Sequence, residues 1–543
     1  MLDRTTINKI VPILRRDARR ALRMRVRGFP RPYYVAFVLR DLHWFNTWAS
    51  SGSTYRRRSD HTRNVYCDLR VNSYRNDQTS EGGLNDNDEE RESSSHVQVP
   101  IDDKCCTGLR LSLWRLSESR FREALSDFSK KETARLSTID PNQTSMSFHK
   151  LGRCSNIKYS RPEKLEEDKW VRFCKRASKW ISDLPQVSVN WVEFDATQET
   201  KIFVNTENRI IVQHNKIFSL SAKMRNLTKE GLQIEQELVL NCASQRELPN
   251  MQKFKELLLH KHRQLLEMIK AKRIHAFSGP VLLAPTPAGL LFHEAIGHRL
   301  EGSRLLSTGE GQTFKGQIGK RILDVDLDIS DNPRLKQLKG RRCIAAYEFD
   351  DEGTPAAEAL LVKGGHLRGF LNTRAGIPVK NNKPNGHARN RKAERPVSRM
   401  AVTVIKGNES VSWDELKQLL VAEIRAQGKP FGMIVYETAG GETETSNYDF
   451  QVFSGEIAYA TLVYPDGREE VVRGVDFVGT PLQALSNIIA VGNEQVLDNH
   501  YCGAESGMIP VSTICPAILL KTLELQAKQE ERVTQYILPR PRF

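Results

Sequence analysis

Apolar positions recur along this chain with two periods, and the change from one period to the other marks out its elements. Near the start, Ile7, Ile10, Val11, Ile13 and Leu14 sit among arginines, which predicts a basic amphipathic helix within residues 1–24. Runs rich in aromatic and branched residues follow at 32–39, 43–48 and 64–71, and each predicts a strand. From 76 to 98 the composition turns to Asp, Asn, Glu, Ser and Gly, which reads as a loop or locally disordered insertion. Helical periodicity returns at 116–134 and again at 162–183, where Trp170, Phe173, Cys174, Ala177, Trp180 and Ile181 form one stripe. A strand at 187–191 precedes a meander over 201–240. There Phe218, Leu220, Ala222 and Met224 fall at every second position, as a half-buried sheet requires. The helix predicted at 253–272 places Phe254, Leu257, Leu258, Leu265, Met268 and Ile269 inward and His260 and His262 on or near its polar face.

The second half is mostly strand. Residues 280–284 form a short apolar run, and further strands are expected at 342–349, 357–362 and 366–371, the last two joined by a turn at Lys363-Gly364-Gly365. Ser412 and Glu415 form a capping box for a helix at 413–426 that stops at Gly428 before Pro430. A hairpin about Asp466-Gly467 joins 456–464 to 469–473. Short helices are expected at 481–489 and, closing the chain, at 516–529. The pattern predicts an α+β protein: a mixed α/β domain over 1–272, with a polar loop at about 76–98, then a β-rich domain over 273–543.

Composition narrows this only a little. With 543 residues and 39% hydrophobic positions there is ample material for a core. No apolar run is long enough to span a bilayer. Asp3 and Asp17, and the lack of a small-residue cleavage site, argue against a transit peptide, so a cytoplasmic protein is expected. Nine cysteines without CxxC spacing read as reduced thiols. A net charge of +15 raises nucleic-acid binding as an alternative. The basic residues are spread along the chain without an RNA-binding signature, which favours a soluble basic surface instead.

The chemistry concentrates in 286–302. Thr286-Pro287 is a helix start, and the helix carries His293, Glu294 and His298 just beyond a strand. Two imidazoles and a carboxylate suit a hydrolytic zinc site, with nitrogens to hold Zn²⁺ and a base to take a proton from water. The histidines are five positions apart rather than the four of His-Glu-x-x-His, which in a regular α-helix turns one roughly 140° from the other. Both face one ion only if the helix widens or breaks between them; a π-bulge has this register, and Gly297 is the residue expected to tolerate such a distortion. A third ligand is needed, and Cys502, His500, Cys515 and Glu301 are candidates. Cys502 sits in a Gly- and Pro-bearing loop, and Glu301 lies one turn beyond His298.

The stretch from His293 to Gly302, with Cys502-Gly503 and Ser506-Gly507-x-x-Pro510-Val511-Ser512 downstream, resembles the TldD/PmbA family of metalloproteases. Asn385-Gly386-His387-Ala388-Arg389 and Gly440-Gly441-Glu442-Thr443 support the likeness, which covers roughly 275–520. The resemblance implies a zinc peptidase of unstructured peptides, with His293, His298 and Cys502 as ligands and Glu294 as base. It also implies a homodimer, or a heterodimer with a PmbA/TldE-like partner. Because the metal motif is present, the chain resembles the catalytic, TldD-like subunit. Glu301, His387 and Arg389 are expected near the site, as support for the ligands or in contact with substrate. A non-catalytic metal-stabilised scaffold subunit is the other reading, against which the retained Glu294 argues.

Overall fold

In a computed structural model, the described residues are all except 80–94, 138–145, 229, 307–311, 392–394, 444–452, 480, 529–531 and 534–543. Most of the expected polar loop therefore lies outside them. The fold is α+β. Its N-terminal half comprises α1 (Arg4–Ala21), β1 (Pro32–Ser50), β2 (Ser53–Val71), β3 (His96–Gln98), α2 (Thr107–Ser137), β4 (Cys154–Ile157), α3 (Glu167–Ser182), β5 (Val189–Asn205), β6 (Arg209–Leu227), β7 (Gln233–Cys242) and α4 (Met251–Lys270). The seven strands make one sheet in the order β3-β2-β1-β5-β6-β4, with β7 also on β6.

The strands expected at 32–39 and 43–48 are a single strand. Its charged interruption does not end it, because Arg63 on β2 donates to buried Asp41 at 2.8 Å and Arg40 donates to Glu199 at 3.1 Å. Paired charges let a strand continue where hydrophobicity lapses. The β1–β2 hairpin closes on Ser51 and Gly52, both at positive φ, the backbone that matches the twist of the flanking strands.

One face of the sheet is covered by helices. Ile7, Leu14, Leu113 and Phe121 of α1 and α2 pack on Val35, Phe37, Leu39 and Val65. Trp170 and Ile181 of α3, with Phe254 and Leu258 of α4, cover Phe45, Phe194, Phe218 and Leu220. His262, expected near the polar face, is buried with Nε2 2.8 Å from Pro185 O. The opposite face, through Tyr34, Val38, Tyr66 and Phe203, packs with Phe349 from the C-terminal half.

That half contains two larger sheets. In the eight-stranded one, β8 (Phe277–Leu283) lies between Gly432–Thr443 and Ile518–Ala527, and pairing of Gly432–Thr443 with Phe453–Val463 closes five strands into a ring. In the six-stranded one, β9 (Leu327–Asp331) pairs with β10 (Val402–Gly407), which continues to β12 (Ile509–Cys515) and the edge strand β11 (Val496–Cys502). The closing helix expected at 516–529 is instead the strand β13 (Ile518–Ala527). Leu523 and Leu525 are buried while Glu524 and Gln526 are exposed, a period of two, and β8 supplies the hydrogen-bonding partner. The strand expected at 342–349 is reduced to Arg341–Arg342, since 343–349 makes loop bonds such as Tyr347 N to Pro333 O. Between β8 and β9 runs α5 (Pro285–Phe292), which leads into the candidate site.

Candidate metal centre

Strand β8 is buried, so α5 starts from a fixed base, with Pro287 near its N-terminus where no donor is missed. At His293 the helix widens. Residues His293–Gly297 form a π-turn in which the N–H of His298 reaches His293 O, and a 3-10 turn follows at His298–Leu300. The extra residue brings His298 round toward His293. Gly297 serves differently from expectation. Its backbone is ordinary right-handed helix (φ −54, ψ −58), but a Cβ there would lie 2.0 Å from Met400 Sδ. It is a matter of space, not of unusual backbone. Buried Arg299 donates to Glu294 O at 2.8 Å and Ala295 O at 3.1 Å, supporting carbonyls at the turn.

Cys502 arrives from the end of β11. Its Sγ is 3.2 Å from His293 Nε2 and 3.5 Å from His298 Nε2, and the three donor atoms lie within 4.8 Å of one another. The imidazole ring centres are 5.0 Å apart at 89°. Nitrogens bound at ~2.0–2.1 Å to one tetrahedral ion place ring centres roughly 5 Å apart. All three side chains are buried, as is Glu294, whose Oε2 is 3.9 Å from His298 Nε2.

The surroundings favour a thiolate. Burial alone would push the Cys502 thiol up, but His293 and His298 outweigh it and bring the group down to about 3. Glu301 Oε2 lies 3.2 Å from His298 Nδ1, behind the nitrogen that faces the sulfur. Burial raises the Glu301 carboxyl, yet His298 and Arg304 hold it down at about 2. A carboxylate behind a ligating imidazole fixes ring orientation and tautomer. Arg399, fully buried, donates to Cys502 Sγ at 3.1 Å, to Cys502 O at 2.9 Å and to Ser506 Oγ at 3.0 Å. No motif in the sequence marked Arg399, which lies more than a hundred residues before its partner.

The donor set fits a zinc ion: two imidazole nitrogens, one thiolate and a shielded pocket. His293 Nδ1 and His500 Nε2 are buried without hydrogen-bond partners, so unsatisfied polar atoms gather around these donors. The remaining expected residues fall elsewhere. His387 is buried between Asn385 Oδ1 at 2.8 Å and Asp331 Oδ1 at 3.2 Å, while Arg389 donates to the carbonyls of Met400 and Pro510. Both brace loops. Cys515 is buried with Sγ 3.3 Å from Pro516 O. Among the described residues one other ligand-type group converges, Asp41, His43 and His61. Its two rings stack at 3.8 Å and 20°, and one ion cannot lie in the plane of both, so it is a charge cluster with Arg63.

Residues 278–527 match the PmbA/TldA metallopeptidase C-terminal domain. The chain is similar to a metalloprotease of Archaeoglobus fulgidus (30% identical over 256 residues, 46% of this chain and 55% of the relative). It is also similar to a metalloprotease TldD homolog of Haemophilus influenzae (28% over 259 residues, 47% and 50%). A zinc metalloprotease TldD homolog of Saccharolobus solfataricus is 25% identical over 364 residues, 67% of this chain and 76% of that one. The chain spans about half the length of the curated relatives it matches first. Among solved structures, TldE from Thermococcus kodakarensis shares the fold with a TM-score of 0.61 at 12% identity, covering 96% of this chain and 100% of that one. The likeness is thus to proteins named as metallopeptidases. Over residues 278–527 the chain is similar to the C-terminal domain of the PmbA/TldD family.

Proposed function

We propose that the chain is a zinc-dependent peptidase of unstructured or extended peptides, with His293, His298 and Cys502 holding the ion and Glu294 as the base. The observation that carries this is Cys502 Sγ standing within 3.5 Å of both imidazoles, with the Glu294 carboxylate beside them. Bound zinc supplies Lewis acidity, polarising the scissile carbonyl and making water easier to deprotonate. The Glu294 carboxylate takes the proton from the attacking water and delivers it to the leaving amine. Glu301 and Arg399 hold His298 and Cys502 in place, while burial of the site keeps bulk water from competing.

The finer readings belong to the same proposal. A boundary near 272 divides the chain into two domains: α4 ends at Lys270, and Lys272–Arg273 already pairs with Glu469–Arg473 of the C-terminal sheet. The active assembly is a dimer, of this chain or with a PmbA/TldE-like partner. All nine cysteines are free, in keeping with a cytoplasmic protein, and no described helix is long and apolar enough to cross a membrane.

The test is hydrolysis of an unstructured peptide by zinc-loaded protein. Glu294→Gln should retain the metal and lose about 10²–10⁴ of the rate. Equal rates for both proteins, or no hydrolysis by zinc-loaded wild type across varied unstructured peptides, would end the peptidase reading.

A further inference from the structure

His500 is a histidine that the proposed hydrolysis does not use. It lies on β11 two residues before Cys502 and two after Asp498, so the three side chains stand in one row on the same face of the strand. Its ring centre is 5.3 Å from that of His293, at 67°. That is close to the separation of roughly 5 Å for two imidazoles on one tetrahedral ion. Asp498 Oδ2 lies 3.3 Å from His500 Nδ1. A carboxylate behind one nitrogen is the arrangement that directs the other nitrogen of a histidine to a metal. The side chain is 28% exposed, yet neither nitrogen is open to solvent, and Nε2, on the side away from Asp498, has no hydrogen-bond partner. The exposed part is therefore the carbon edge, and the polar edge is turned into the protein, where an unpaired nitrogen is unfavourable.

We propose that His500 is an exchangeable fourth protein donor to the ion held by His293, His298 and Cys502, an inference that rests on the metal reading above. His500 stands beside the triad, against His293, rather than within it. With its nitrogen on the ion, four protein donors close the tetrahedron. With it off, the fourth position takes water or the carbonyl of a peptide. A neutral imidazole replaces a neutral water, so the exchange leaves the charge of the site unchanged. In the structure His500 stands off the three converging donors, so the site becomes latent when its ring turns onto the ion, and an extended peptide opens it by competing for that position.

The full-length protein loaded with Co²⁺ reports this directly, because the visible d–d bands depend on donor set and coordination number. Expected results are a shifted and weaker spectrum for His500→Gln, and Zn²⁺ affinity, measured against a competing chelator, lower by roughly ten- to a hundredfold. Asp498→Asn should fall between the two, and added imidazole should restore the wild-type spectrum to His500→Ala. A wild-type spectrum and affinity in His500→Gln would overturn the inference while leaving the metal site intact. Wild-type protein that binds neither Co²⁺ nor Zn²⁺ would overturn the metal reading itself. If the variants do not fold, electron spin-echo spectroscopy of Cu²⁺-loaded wild type counts the bound imidazoles: three support the proposal and two overturn it.

Discussion

Arg399 shows how much of the candidate centre depends on one side chain that never approaches the reacting atoms. Its guanidinium is wholly buried, hydrogen-bonded to the Cys502 sulfur and 3.6 Å from Glu301. It holds two anions that would otherwise repel each other and the pocket around them. Arg399→Met should cost about 3–5 kcal/mol of stability, as removal of one partner from a buried charge cluster does. It should also lower zinc affinity by roughly ten- to a hundredfold. Denaturant unfolding and chelator competition measure the two effects, and a variant that keeps both would show that the sulfur needs no such neighbour. His387 and Arg389 carry the opposite lesson. A motif-bearing segment attracts attention in sequence, but these two side chains are consumed by Asp331, Asn385 and backbone carbonyls.

At the scale of elements, the π-turn decides whether the histidines meet. Sequence spacing alone required an irregular helix there, and the turn is found at His293–Gly297. What spacing did not contain was the reason for glycine, which is Met400 packed against the turn from a distant segment. Gly297→Ala should therefore destabilise by about 1–3 kcal/mol through overpacking and reduce zinc content. Met400→Ala in the same chain should recover part of both, and thermal unfolding with metal analysis would read it. If Gly297→Ala is neutral, the close approach is not what selects glycine. The last strand, β13, teaches a related point. Its first residues, Ile518-Leu519-Leu520, carry no period, and pairing with β8 on one side and Ile488–Val491 on the other makes the segment a strand.

For the whole molecule, the two halves are joined by buried charge as well as by apolar contact. Asp351, from the C-terminal half, accepts from Arg40 at 2.9 Å and from Lys201, both on the N-terminal sheet. Burial opposes ionisation of Asp351, but Arg40 and Lys201 more than offset it and hold the carboxyl down at about 2. A depressed carboxyl contributes stability that is fully present above its unfolded value near 3.8 and is lost as pH falls through about 2. Asp351→Asn should thus be less stable than wild type at neutral pH by about 3–5 kcal/mol. The difference should shrink below pH ~4. Equilibrium unfolding of both proteins from pH 7 to pH 2 tests this, and a gap that stays constant down to pH 2 would refute the assignment.

By itself the sequence determined what is written in local spacing. The helix at Trp413–Ala426 with its Ser412–Glu415 capping box is one instance, and the alternation of β6 is another. The His-Glu-x-x-x-His interval demanded a helix that widens or breaks if both rings are to meet, since residues five apart obey the geometry of one helix. Only the tertiary structure decided which distant groups share a pocket. Cys502 meets the histidines from more than two hundred residues away, Arg399 meets Cys502 from another strand region, and Asp41 meets Arg63 across a hairpin. Those contacts follow from sheet order and packing, which depend on all the elements at once and leave no periodic trace in any one of them.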